Sequence, residues 1–427
     1  MMNHYAVRWK TLLVVSLLAL GFVSFAAAAQ EKTVLRVMDW KLNETGATQA
    51  WFQYVKERFE AEHPGVVVEY HPMPWSEAYR DQLVTSSIAG VPPDVVSLSI
   101  IWANDLYRAG VLMPLNDYVA KDPDVGPEAM IPATQVYNQW EGVIFGITHT
   151  MDENVLFYDI DALEEVGLSA DPYAIQSWDD MITYARRLTV YDDAGNVVRA
   201  GYEPDFWDTA FTSWLTANGG SFYNATLTGP AFHDEAGRQT LQFLHDLRNV
   251  YRVTGGDTPM SVMNGTAAMV TSGNWAAYTA QQQRPDLNFN MTSFPAGPNG
   301  VQRGTTVWGN MYSIPVNAAN PDLAWEFIRW YTSLEGNLEM LKFLDYIASP
   351  RLDFYQTDEW RAVAAEYHWA PRVPEIAIVG GTFAFLRNTE FMNQAFRPYL
   401  MQAYLGNMPV ETALEQAARI VERLLAE

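Results

Sequence analysis

The sequence predicts an α/β protein in which helices flank a mainly parallel sheet. Three observations carry that expectation. Strand-like apolar runs alternate with stretches of helical spacing from Val34 to Gly110, and such alternation builds α/β layers. A 427-residue chain with 49% hydrophobic content supplies real cores and points to two domains or more. Asp94 to Ile100 reads as a strand of the buried type, leading out of Pro92-Pro93.

The elements follow in order. Val34 to Met38 forms the first strand, with Asp39-Trp40 at its C-terminal end. Gln49 to Glu62 is helical, because Trp51, Phe52, Val55 and Phe59 fall on one stripe, and His63-Pro64-Gly65 stops it. Val66 to Tyr70 is the second strand. Ser76 to Ala89 is a helix closed by Gly90. After the strand at 94–100, Asn104 to Ala109 makes a short helix with Gly110 past its end. Ligands of open α/β sheets bind outside the carboxyl ends of strands, and Trp40 and Trp102 fall at such ends. Further along, Gly142 to Ile147 and Asn154 to Tyr158 are strands, and Ser177 caps a helix through Leu188 with Asp180 three residues on. Gly265 to Val270 is a strand, Asn290 to Gly304 a connector, and helices cover Pro321 to Thr332 and Glu411 to Ala426.

The first 29 residues read as a secretory signal peptide. Arg8 and Lys10 precede an apolar run from Leu12 to Phe25, and Ala26 to Ala29 give a small-residue exit with cleavage expected after Ala29. A periplasmic location follows from that leader. The chain has no cysteine, so disulfides, thiol chemistry and Cys-ligated metals are excluded. A net charge of −23 argues against nucleic acid and anionic membrane surfaces, which demand a basic face. No later stretch is long and apolar enough to span a bilayer, so an integral membrane protein is not expected.

Aromatic residues are abundant, with 15 Trp among them. Several indoles sit beside polar residues: Asp39-Trp40-Lys41, Pro74-Trp75-Ser76, Trp102-Ala103-Asn104-Asp105, Phe206-Trp207-Asp208 and Gly273-Asn274-Trp275. Such neighbours place an indole near water. A wet indole beside carboxylates and amides suits a sugar, whose flat C–H face stacks on the ring while side chains bond its hydroxyls.

An enzyme lacks positive support. Asp152-Glu153 and Asp179-Asp180 are acid pairs, but 50 acids make such pairs a matter of chance. There is no Gly-x-Ser-x-Gly elbow, no P-loop or dinucleotide fingerprint, and no zinc-hydrolase His cluster. No catalytic residue, metal or cofactor is expected. A secreted glycosidase or lyase remains the alternative class.

The mature chain resembles the extracellular solute-binding proteins of ABC importers, family 1, the branch that includes maltose-binding protein. Five stretches carry the resemblance: Pro93 to Val96 with Trp102 to Asp105 and Ala109 to Leu115; Gly142 to Ile147 with Val155 to Tyr158 and Glu165 to Leu168; Ser177 to Asp180 with Ala185 to Thr189; Asn264 to Met269 with Gly273-Asn274-Trp275; and Ile314-Pro315 through Ala324 to Ile328. Thr148 stands where the family often has Pro, and Tyr158-Asp159 where it often has Tyr-Asn. The resemblance implies a two-lobed type II periplasmic-binding fold, with crossing segments as hinge. It implies lobes of 30–151 plus 308–348 and of 152–307 plus 349–427, closing over a carbohydrate that passes to the transmembrane subunits of an ABC permease. The protein is expected to act as a monomer. A polyol, a glycerol-phosphate ester or a polyamine is the alternative ligand.

Twelve residues are the candidate ligand contacts. Trp40, Asn43 and Glu44 occupy the first strand-end loop. Trp75, Trp102 and Asp105 belong to the same half, and Trp102 is favoured for the cleft. Asp152, with Glu153 and Asn154, lies at the first crossing, and Trp308, Gly309 and Asn310 at the second, where glycine would let the backbone approach a ligand. Trp207 and Trp275 come from the second lobe, Trp275 as a stacking platform. Glu77, Asp208, Trp214, Phe383, Phe385 and Arg387 are weaker candidates.

Overall fold

The computed structural model describes residues 32–204, 210–226, 228–255, 260–344, 347–381 and 396–426. The expected leader at 1–29, Trp207 with Asp208, and Phe383, Phe385 and Arg387 lie outside the described residues. Seven strands carry the architecture: β1 (Thr33–Asp39), β2 (Val66–Pro72), β3 (Val95–Ser99), β4 (Ile147–Asp159), β5 (Met269–Gly273), β6 (Phe289–Thr292) and β7 (Thr305–Ser313). With the short strand Gly380–Gly381 paired to β7, they form one mixed eight-stranded sheet in the order β6-β4-β7-β3-β1-β2, with β5 also paired to β4.

The parallel expectation holds where helices make the crossovers. β1 pairs parallel with β2 and β3, joined through α1 (Ala47–Glu62) and α2 (Glu77–Ile88). The remaining pairings of the long strands run the other way. β7 is antiparallel to both β3 and β4, and β5 and β6 are antiparallel to β4. β4 is 13 residues long and serves both halves. β7 occupies one of its edges from Ile147 to Glu153, and β5 takes that edge over from Asn154 to Tyr158.

Four sequence expectations shift. The strand read from Gly142 to Ile147 is reduced to Val143–Ile144 before β4 begins at Ile147, and the connector read from Asn290 to Gly304 starts inside strand β6. The strand read at Gly265 to Val270 sits at Met269–Gly273, because Gly265 turns the chain at φ +75° and residues 261–267 close a loop. The helix read from Asn104 begins at once after β3, as α3 (Ile100–Arg108), with Ser99 as its N-cap.

The expected stripe of α1 is buried: Trp51, Phe52, Val55 and Phe59 pack against the sheet and α8 (Pro321–Thr332). Trp51 Nε1 donates to Tyr331 Oη at 3.0 Å, so the indole enters the core with its one donor satisfied. Burying a side chain of this size is worth roughly 3 kcal/mol. This core continues along the crossing strands to Phe157, Phe289 and Trp369. A second core belongs to the other half, where Trp178, Trp214, Phe243 and Phe294 gather under β4. There the capping box read at Ser177 and Asp180 starts the helix Trp178–Leu188. A third, smaller core on the β3 side holds Tyr79, Leu98, Trp102, Phe145 and Met311.

Candidate ligand-binding site

The crossing strands build a polar floor. Register pairs Trp308 with Asp152 and Asn310 with Thr150. Alternation puts Thr150, Asp152 and Asn154 of β4 on one face, with Trp308 and Asn310 of β7 beside them. Asn310 Nδ2 donates to Thr150 Oγ1 at 2.8 Å, and Trp308 Nε1 to Asn154 Oδ1 at 3.4 Å. Asn154 Nδ2 in turn donates to Ser213 Oγ at 3.1 Å, on the helix Ala210–Ala217. Asp152 and Trp308 remain half-buried, whereas Asn310 is only 8% exposed.

Two indoles stand open, Trp275 beside this floor and Trp75 over the core on the β3 side. Trp75 is 48% exposed and Trp275 is 47% exposed. Trp75 stacks on Trp102 at 5.3 Å and 23°, and Trp102 stacks on Tyr79 at 6.0 Å and 18°. Trp40 meets the edge of Tyr79 at 5.5 Å. Trp275 opens helix α7 (Trp275–Gln283) and meets the Trp308 ring edge-on at 5.5 Å and 79°. Each exposed ring is therefore held by a second ring, which removes rotamer freedom before any ligand arrives.

Several candidates are placed differently from expectation. Trp102 is not a wet indole: it is 1% exposed and lies on the inner face of α3. The missing loop between β3 and α3 turns it into the support for Trp75. Gly309 is buried between strands, and a Cβ there would stand 2.1 Å from the Thr150 carbonyl oxygen. Its close approach is to β4 rather than to a ligand. Trp214 is fully buried. Asn43 and Glu44 are exposed and bonded locally, Asn43 Nδ2 to the Trp40 carbonyl and Glu44 Oε2 to Thr48 Oγ1. Asp105 is half-buried on α3 and Glu77 is exposed at the start of α2. Thr150, Tyr79 and Gly273 were missed. Pairing alone reveals Thr150, and Gly273, although part of the Gly273-Asn274-Trp275 stretch, gave no sign in sequence that the indole folds back over it.

Charge is concentrated at the foot of the floor. Asp39 is fully buried; its Oδ2 accepts from Tyr312 Oη at 2.7 Å and its Oδ1 from the Lys41 amide at 2.8 Å. Burial pushes its carboxyl from 3.8 up to about 6, and those bonds and the Lys41 charge pull the other way. Burial likewise pushes Asp152 up to about 6, again opposed by Lys41. Glu153, on the opposite face of β4, is driven well above the carboxylate range by burial and then by Asp152. His149 is held well below its usual value by burial and then by Lys41, so its ring is neutral at pH 7. Among the described residues, no group of three His, Asp or Glu side chains is placed to hold a metal ion.

The raised Asp39 carboxyl has a consequence for stability. Its folded pKa exceeds the unfolded value, so its contribution is complete below pH ~4 and is lost as pH rises through about 6. The loss is on the order of 3 kcal/mol. Asp39→Asn is expected to close its stability gap to the parent across that window, as read by denaturant unfolding at pH 4, 5, 6 and 7. A gap that stays constant with pH rejects the assignment.

Residues 43–338 match the pattern of the bacterial extracellular solute-binding proteins. The chain belongs to this family. It is 21% identical over 404 residues to a binding protein of Brucella abortus (strain 2308), covering 86% of this chain and 89% of that one. It is 25% identical over 289 residues to the arabinooligosaccharide-binding protein of Bacillus subtilis (strain 168), covering 62% of each. The cyclic α-maltosyl-1,6-maltose binding protein of Arthrobacter globiformis superposes with a TM-score of 0.79 at 18% identity, over 92% of this chain and 99% of that chain. The fold is the two-lobed type II solute-binding architecture.

Proposed function

We propose that this solute-binding protein captures a carbohydrate between its lobes and hands it, chemically unchanged, to an ABC permease. The observation that carries the proposal is the exposed indole of Trp275, braced by Trp308 beside a floor of Asp152, Thr150 and Asn310, with a second exposed indole, Trp75, braced by Trp102. Indoles take the apolar faces of a pyranose, and the floor takes its hydroxyls. The sugar-binding relatives and structural neighbours support the same ligand class. The lobes would divide at 151/152 and 307/308, where β4 and β7 pair, with residues 349–427 returning to the second lobe. A cleaved leader at 1–29, a periplasmic location and a monomeric state belong to the same proposal.

The site also speaks against turnover. Asp152 and Glu153 are adjacent on a strand and point to opposite faces, with Glu153 fully buried. They cannot flank one glycosidic bond as a hydrolase pair does. Asp180 is spent in the capping box of its helix. A thermal-shift panel of mono- and oligosaccharides, polyols, a glycerol-phosphate ester and polyamines tests the proposal. A binder at 100 times its Kd adds about 2.7 kcal/mol to stability. Mass spectrometry afterwards is expected to recover the sugar intact. Cleaved product rejects the binder, and a shift with polyamines alone moves the ligand to a cation held by indoles and carboxylates.

A further inference from the structure

One buried acid has no part in that floor. Glu153 lies on the closed face of β4 and is 0% exposed. Its main-chain oxygen accepts from the Asn274 amide at 2.9 Å, and its Oε2 accepts from Asn274 Nδ2, also at 2.9 Å. Its Oε1 has no hydrogen-bond partner. An ionisable group in such a place is costly to keep, so what it holds is informative.

Asn274 is 2% exposed and precedes the first residue of α7. It makes no side-chain cap to its own helix; its amide is turned back to Glu153. The next residue is Trp275. One residue earlier, Gly273 pairs with Asn154. The junction between β5 and α7 is thereby fastened to β4 at two successive positions, and the direction in which Trp275 leaves the backbone is set there.

We propose that Glu153 is a positioning residue: through Asn274 it fixes the Trp275 platform to the crossing strand, so that a rotation of β4 during closure carries the indole with it. This rests on Trp275 serving as a ligand platform. The side-chain link from Glu153 to Asn274 runs behind the ligand floor, next to the main-chain pair of Gly273 with Asn154. Asp152 contacts the open face, while its neighbour in sequence steers a ring from behind.

The test needs no ligand, so its failure is separable from failure of the proposed function. Full-length protein is labelled with 5-fluorotryptophan, and the fluorine resonance of Trp275 is assigned by its loss in Trp275→Phe. Glu153→Leu and Asn274→Ala are expected to shift or split that line while the Trp51 line stays in place. Glu153→Gln keeps an oxygen for Asn274 Nδ2 and is expected to restore the parent line. Should Glu153→Leu fail to fold, Asn274→Ala carries the test alone. A Trp275 line unmoved in the folded variants overturns the proposal, as does a Trp51 line that moves equally with it.

Discussion

Replacing Gly273 by alanine is expected to weaken ligand binding on the order of thirtyfold, about 2 kcal/mol, the scale of a central aromatic contact, while the fold persists. A Cβ at residue 273 would stand 1.6 Å from Cζ3 of Trp275 and 2.0 Å from Cε3 and Cη2. The indole lies back over the glycine, and its position is possible only without that methyl group. Gly273 has no positive φ, so alanine suits the strand backbone and the cost falls on the ring. The indole must rotate away from Trp308, its edge-on partner. Trp275→Ala is expected to lose a similar amount. In the Trp275→Ala background, Gly273→Ala adds nothing further, because the clash has no partner left. Calorimetry on the four proteins with the strongest sugar from the panel measures this cycle. Additive losses, or unchanged affinity in Gly273→Ala with an unaltered melting curve, show that Gly273 does not act through Trp275, and unchanged affinity in Trp275→Ala removes Trp275 from the site.

Residue chemistry made the exposed indoles legible and chain topology decided the exceptions. Trp75 and Trp275 have polar or small neighbours and are open, as those neighbours imply. Trp102 has the same kind of neighbours and is sealed, because Ser99 ends a strand and caps a helix in one step. The β-branched pair Ile100-Ile101 conceals that switch, since both residues favour strand. The stripe of α1 and the capping box at Ser177 were readable because their periodicities are local. Faces of the crossing strands were not. Asp152 meets Trp308 across more than 150 residues of chain, and only that register shows that Asp152 looks out, that Glu153 looks in, and that Gly309 accommodates Thr150.

In the proposed site, the same register makes Asp152 the group expected to render binding pH-sensitive. Its carboxyl is half-buried, and burial sets it at about 6. A sugar hydroxyl donates more strongly to the ionised form, because bonds to charged acceptors are worth about 1.5–3 kcal/mol against about 1 for neutral ones. Affinity is therefore expected to rise on the order of tenfold as pH increases from 5 to 7, with a midpoint near 6. Asp152→Asn is expected to bind more weakly at pH 7 and to show a flat profile. Lys41→Met removes the cation that draws the carboxyl down, so the midpoint moves upward. Lys41 acts on Asp39 as well, and Asp39 also stands at about 6, so the lysine variant alone cannot assign the titration. Asp152→Asn and Asp39→Asn, titrated side by side with the same sugar, make the assignment. If the profile persists in Asp152→Asn and vanishes in Asp39→Asn, the proton belongs to the buried strand end behind Trp40, and the floor binds its guest through neutral groups.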